Sequence, residues 1–261
     1  MEELPGSWNQ GIRETGKQGR KPVPADSDQV DKILAVREKH PNAGALAIEN
    51  YLLRDGIDIA HNRIHRTLKD AGMTMNDEKK KRQRKWVRYE RKHSNSLWHM
   101  DWTEYGDEKI MIIEDDASRF ITGFGSFDSE TTENSLTVLR KAIQEHGKPR
   151  EVMTDHGTQF FSNGKEGNPG DPNEFQRFLH ENGIKHILAR VKHPQTNGKL
   201  ERVNGTIKPL RVHFQTWEEV VYYYNNERRH MSLSNKERPV VTPAMAYREK
   251  MRNEESQEET V

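Results

Sequence analysis

Three carboxylates in this chain of 261 residues have the types and order of a metal-dependent centre. Asp101 interrupts an apolar stretch between Met100 and Trp102, and a carboxylate in mid-strand is costly to bury unless it is paired or binds a cation. Asp155 closes the short run Glu151 to Thr154, just before His156 and Gly157. It sits at the carboxyl end of a strand, where α/β sheets place ligands. Glu201 lies in a helix just after a Pro/Gly/Asn loop. Taken singly, each reads as a surface acid. Taken as strand, neighbouring strand and crossing helix, they can converge. With no cysteine, and with 12 histidines that lack metal-ligand spacing, an all-oxygen site is implied. Oxygen ligands select Mg²⁺, with Mn²⁺ as the other candidate. Two such ions about 3.5–4 Å apart activate an attacking oxygen and stabilise the leaving oxygen of a phosphodiester. In that reading Asp101 bridges both ions while Asp155 and Glu201 hold one each. Water and then a 3′-hydroxyl act as nucleophile, with no covalent enzyme intermediate.

The elements that must position these groups follow from the apolar pattern. Leu97 to Thr103 reads as a strand, Lys109 to Glu114 as a second, and Arg119 to Phe127 as a third. The second and third are joined as a hairpin through Asp115-Asp116-Ala117-Ser118. Asp116 and Ser118 read as turn residues, and Trp98 and Trp102 as sheet packing. Thr132 to His146 has helical periodicity and is capped by Gly147. Glu151 to Thr154 is a fourth strand. A helix around Phe175, Phe178 and Leu179 closes at Gly183, Ile184 to Val191 is a fifth strand, and a helix runs from about Lys199. Residues 216–231 add an aromatic helix. The sum is a mixed α/β sheet of five strands flanked by helices. His156 reads equally as a neighbour of the site or as a turn residue.

The charge of the chain is divided. Residues 1–100 carry 20 Lys/Arg against 14 Asp/Glu, and the remainder carries 22 against 27. This asymmetry points to nucleic-acid contact in the first part and a carboxylate function in the second. Residues 28–73 hold three short helical patterns, the last two joined by a turn, which is a helix-turn-helix arrangement. Asn62, Arg63, Arg66 and Lys69 fall on the exposed side of the third, suited to base edges and phosphates. Residues 78–93 carry nine Lys/Arg and two Glu, interrupted by Trp86 and Tyr89. Phosphate contact is expected there from Lys80, Lys81, Arg82, Arg84 and Lys85. Arg202 and Lys208, with Lys199, fall where a DNA backbone could be tracked. His193, Gln195 and Asn197 could contact a substrate end or serve turn chemistry around Pro194 and Gly198. The absence of a signal-type N-terminus or of a run of about 18 apolar residues leads to the expectation of a cytoplasmic, nucleoid-associated protein with no membrane partner.

Several strings carry a family resemblance: WHMDWTEY from Trp98, DDASRFITGF from Asp115, MTDHGTQF from Met153, HPQTNGKLERVNGTIK from His193, YYNNERRHMSL from Tyr223 and TPAMAY from Thr242. They span about residues 95–247. The sequence resembles the DDE transposases and integrases with a retroviral-integrase-type catalytic core, especially insertion-sequence transposases. The resemblance implies an RNase H-like fold preceded by a small all-α helix-turn-helix domain, with Asp101, Asp155 and Glu201 as the metal-binding catalytic triad. It implies Mg²⁺-dependent cleavage at transposon terminal inverted repeats and strand transfer into target DNA, by a homodimer or higher oligomer and with no small-molecule substrate. The spacing of 46 positions from Asp155 to Glu201 exceeds the family's usual one. The excess fits SNGKEGNPGDPN (Ser162 to Asn173) as an inserted surface loop, which is thermodynamically cheap. Only residues 1–18 precede the GRKP linker, where relatives often carry another helix-turn-helix, which suggests a shortened copy.

The expected organisation is an extended arm (1–27), a helix-turn-helix domain (28–76), a basic linker (77–95), the catalytic core (96–215), a C-terminal helical extension (216–248) and a disordered acidic tail (249–261). The alternative function is a catalytically silent, DNA-binding relative with a regulatory or domesticated role. A nuclease of the same fold without transposition is disfavoured by the helix-turn-helix and the HPQTNGKLER string.

Overall fold

The computed structural model describes residues 25–74, 90–162, 171–189 and 194–258, with side chains from 198 onward and up to 251 in the last segment. The arm and most of the basic linker, including Lys80, Lys81, Arg82, Arg84 and Lys85, lie outside the described residues, as does His193.

Three helices come first: α1 (Ser27–Lys39), α2 (Ala45–Arg54) and α3 (His61–Asp70). The Asp26 side chain caps α1 by accepting from the Gln29 amide at 2.8 Å, satisfying one of the helix's free N-terminal donors. Ile33, Ile48, Leu52, Ile59, Ile64 and Leu68 bury together as the core of this bundle. The expected apolar face of α3, Ile64 and Leu68, is the buried one.

A five-stranded sheet follows, built from β1 (Leu97–Tyr105), β2 (Glu108–Asp115), β3 (Ile121–Phe127), β4 (Glu151–Thr154) and β5 (Lys185–Leu188). Its order is β3-β2-β1-β4-β5. The first three strands pair antiparallel, and β4 and β5 join β1 in parallel, so the sheet is mixed and β1 is central. Helices α4 (Thr132–His146) and α5 (Glu174–Glu181) cover one face, and α6 (Pro194–Leu210) and α7 (Trp217–Asn226) the other. Strand alternation divides β1 accordingly. Trp98, Met100 and Trp102 pack toward α4 and α5, which sends His99 and Asp101 to the α6 face. The two tryptophans are packing residues, as expected, and each indole N–H finds a partner: Trp98 donates to Asn95 Oδ1 at 3.0 Å and Trp102 to Ser135 Oγ at 3.1 Å.

Helix α6 starts at Pro194 rather than about Lys199, so the Pro/Gly/Asn stretch expected to be a loop forms its first turns. Three further boundaries move, each for a local reason. Strand β3 starts at Ile121 rather than Arg119, because Arg119 has φ +66° and its amide donates to Asp115 O at 2.9 Å, which makes it part of the turn. Strand β5 starts after Ile184, whose amide closes α5 on Leu179 O at 2.8 Å behind the left-handed Gly183. The last helix, α8 (Pro243–Glu258), continues into the segment expected to be a disordered tail. It is anchored early, where Tyr247 Oη donates to Asn95 Oδ1 at 2.8 Å.

The bundle is docked on the core. The His40 ring stacks on Tyr51 at 3.8 Å, with Nδ1 3.2 Å from Tyr223 Oη on α7. The Arg229 amide donates to Tyr51 Oη at 2.6 Å. No helix among the described residues is long and apolar enough to cross a membrane.

Candidate active site

Asp101 and Asp155 are brought together by strand register. The last parallel pair between β1 and β4 is His99 with Met153. Asp101 and Asp155 each lie two residues further on, at the carboxyl end of the pair and on the same face. Asp155 is half-buried, and its Oδ1 accepts from the Gly157 amide at 2.9 Å, which fixes the turn leaving β4. Glu201 comes from α6. Leu200, Val203, Ile207 and Leu210 press that helix on the sheet, and Glu201 stands exposed beside them.

Electrostatics tie the three together. Burial first, and then the Asp155 charge, push the Asp101 carboxyl up to about 7; Glu130 and Glu201 add to the rise, against a backbone hydrogen bond. A carboxyl raised by crowding with other carboxyls is one that a hard cation would relieve, so the donor chemistry fits Mg²⁺ or Mn²⁺. The arrangement is open, however. Among the described residues no three His, Cys, Asp or Glu side chains form a ready metal-holding group.

Two sets of neighbours are not apparent from the sequence. Glu130, just before α4, lies within 3.8 Å of Lys109 and adds negative charge near Asp101. Nothing in its sequence context marks it. The other set centres on Asp116, which the sequence suggests is a turn residue. The turn is made by its neighbour: Asp115 Oδ2 accepts from the Ser118 amide at 2.9 Å and from Ser118 Oγ at 2.5 Å. Asp116 instead turns inward, and its side chain is 1% exposed. Its Oδ1 accepts from His99 Nε2 at 2.7 Å and from Lys199 Nζ, and its Oδ2 accepts from the Arg91 amide at 2.6 Å. Burial pushes the Asp116 carboxyl up, but the His99 hydrogen bond and the Lys199 charge outweigh this and hold it ionised. The period-two placement of His99 beside Asp101 is the one signal that could have pointed to this cluster. Glu114, the cross-strand partner of His99, is fully buried with no hydrogen-bond partner on either carboxyl oxygen.

The expected DNA-contact residues divide. Lys69, Asn62 and Arg202 are exposed, and Lys208 is half-buried. Arg63 is half-buried and donates from Nη1 to Gln29 Oε1 at 2.9 Å, bracing α3 on α1. Arg66 is half-buried and partnered. At 100° per residue Arg63 flanks the apolar face of α3, whereas Arg66 stands opposite it. Lys199 is engaged by Asp116. Gln195 and Asn197 lie in the first turn of α6, and their side chains are not among those described. His156 is exposed, edge-on to Phe161 at 6.1 Å.

Residues 91–194 match the integrase core domain. The chain is 27% identical over 147 residues to a putative integrase of Spiroplasma virus SpV1-C74, covering 49% of this chain and 40% of that protein. It therefore spans less than half the length of this curated relative. A chain of the simian T-cell lymphotropic virus intasome, in complex with the PP2A regulatory subunit B56 gamma, superposes with a TM-score of 0.51 at 17% identity, covering 83% of this chain and 74% of that one. The HTLV-2 integrase catalytic core, solved as a dimer with magnesium, gives a TM-score of 0.46 at 21% identity over 59% of this chain and 97% of that one. The mixed sheet with flanking helices is the RNase H-like fold of such integrase cores.

Proposed function

We propose that this protein is a DDE transposase of the insertion-sequence type, which cleaves DNA at the ends of its element and transfers the freed strand into target DNA. The observation that carries the reading is Asp101. It is a carboxylate on the central strand of an integrase core, raised to about 7 by burial and by Asp155, with Glu201 contributing. Asp101, Asp155 and Glu201 would hold Mg²⁺ or Mn²⁺. Bound there, divalent ions supply Lewis-acid activation of the attacking oxygen and charge stabilisation of the leaving one. The chain's own part is positioning: β1 and β4 fix the two aspartates at one sheet edge, and α6 brings the glutamate across β1.

DNA is the proposed partner in two senses, as element ends read by the helical unit and as target. Lys69 on α3, the basic linker 77–95 and Arg202 and Lys208 on α6 are the proposed phosphate contacts. The proposed division of labour keeps the boundaries given above: DNA recognition before residue 77, chemistry in 96–215, and the helices after 216 as an extension. Action on two ends at once would need at least a dimer.

The test incubates the purified full chain with Mg²⁺ or Mn²⁺ and DNA carrying the inverted repeats that flank its gene. Nicking and joining are expected, and both should disappear in Asp155→Asn. Cleavage that survives this substitution sinks the proposed site. DNA binding with no metal-dependent chemistry would instead identify a catalytically silent, DNA-binding relative.

A further inference from the structure

The Asp116 cluster has a place in the fold that a plain turn residue would not need. Helix α6 lies with Leu200 on the sheet, and at 100° per residue Lys199 and Glu201 project to either side of it. The two side chains therefore fall over different parts of the sheet. Glu201 is on the side whose charge reaches Asp101. Lys199 reaches the other way, to Asp116, at the opposite end of β1. That end is set by the Asp116 amide, which donates to Leu97 O at 2.9 Å. Leu97 and Asp101 are about 13 Å apart along a strand. His99 stands between them and gives its Nε2 hydrogen to the same Asp116 oxygen that holds Lys199.

We propose that the Lys199–Asp116 ion pair, braced by His99, is the anchor that sets where Glu201 stands over β1, making Lys199 and Asp116 positioning residues for the carboxylate centre. The inference rests on the reading of Glu201 as a metal ligand given above. Two arguments favour it over the alternatives. A lysine whose charge is held by a carboxylate 1% exposed is poorly placed to serve DNA phosphates. A largely buried ion pair is also a weak source of net stability, because desolvation consumes most of the Coulomb gain, and its best-attested use is to specify one arrangement among several. The arrangement at stake here is the start of α6. The three donors described for Asp116 come from β1, from the segment before it and from α6.

The sign of one measurement separates this role from a purely electrostatic one. Removing a cation beside a metal site should strengthen binding of another cation. Removing an anchor should weaken it. Mn²⁺ alone is titrated into the full chain without DNA, and free Mn²⁺ is read by electron paramagnetic resonance. Lys199→Met leaves Asp116 its His99 and Arg91 partners and is expected to weaken Mn²⁺ binding about tenfold, the scale of residues that orient metal ligands. In a Glu201→Gln background the same change is expected to do nothing further, because there is no carboxylate left to position. Lys199→Arg, which keeps the pair, should retain wild-type affinity. If Lys199→Met does not fold, Asp116→Asn serves through the same two backgrounds: loss of its negative charge weakens Mn²⁺ binding with or without Glu201, so the inference expects a further loss present with Glu201 and absent in Glu201→Gln, and an equal loss in both overturns it. Unchanged or tighter binding in Lys199→Met overturns the inference, as does an equal loss in both backgrounds. If Glu201→Gln alone leaves Mn²⁺ binding intact, the ligand reading of Glu201 itself fails, and this inference falls with it.

Discussion

Glu114 is a buried acid whose consequences can be worked through from the structure. Its side chain sits on the α6 face of β2, fully buried, with both carboxyl oxygens lacking a hydrogen-bond partner. Burial pushes its carboxyl up to about 7 from 4.5, and the Arg119 and Lys199 charges only partly oppose this. Each tenfold change in proton affinity is worth about 1.4 kcal/mol, so the folded state forfeits about 3 kcal/mol when Glu114 ionises. The sign is fixed by the direction. A carboxyl raised in the folded state contributes stability that is fully present below its unfolded value and lost as pH rises through about 7. Glu114→Gln keeps the shape and removes the titration. The uncharged amide has its own cost if left unpaired, about 1–3 kcal/mol, but that cost does not vary with pH. The diagnostic quantity is therefore the change in the stability difference between variant and wild type. Urea denaturation at a series of pH values should show it moving in favour of Gln by about 3 kcal/mol between pH 4.5 and 7 and then levelling. Parallel stability curves for the two proteins would mean that Glu114 is paired with a cation or reaches water, and would refute the reasoning.

Three other outcomes are expected. Burial, helped by the Lys39 and Arg54 charges, pulls the His40 imidazole down to about 4, so its contribution is present above pH 6.5 and lost as pH falls toward 4. Acidification from pH 7 to 5 should accordingly lower the amide protection factors in α1 and α2, each taken against the intrinsic exchange rate at that pH, and unchanged protection factors would remove His40 from the docking. Gly123 lets β3 approach α4, since a Cβ there would stand 2.8 Å from Ile113 Cδ1 and 3.1 Å from Ala142 Cβ. Gly123→Ala should cost about 1–3 kcal/mol by chemical denaturation, and a neutral result would mean the two elements can separate freely. Lys69→Ala should weaken DNA binding evenly across sequences and lower the salt slope by about 1, whereas an unaltered slope takes Lys69 off the DNA face.

How much of this is legible in the sequence depends on whether the signal is periodic or tertiary. The order strand, strand, helix around Asp101, Asp155 and Glu201 follows from apolar runs, and β4 pairs in parallel with β1, with Asp101 and Asp155 each two residues past the last pair. Asp116 reads as a turn residue because Asp115 and Asp116 are locally equivalent. Both suit a turn beside Ser118, and only packing sends one to Ser118 and the other inward to His99 and Lys199. Arg63 illustrates the same limit, because its contact with Gln29 on α1 depends on how two helices meet. The acidic segment after residue 248 reads as a tail by composition, yet it continues a helix whose first turns are fastened by Tyr247 to Asn95.

The claim that three distant carboxylates form one metal-dependent centre can be tested without DNA. Fe²⁺ substituted for Mg²⁺ in the full chain, with ascorbate and peroxide, cuts the backbone beside the bound ion. Cuts are expected in three segments, around Asp101, Asp155 and Glu201, all suppressed by excess Mg²⁺ and all lost together in Asp101→Asn. Cuts confined to one segment, or a pattern that persists in Asp101→Asn, would contradict it.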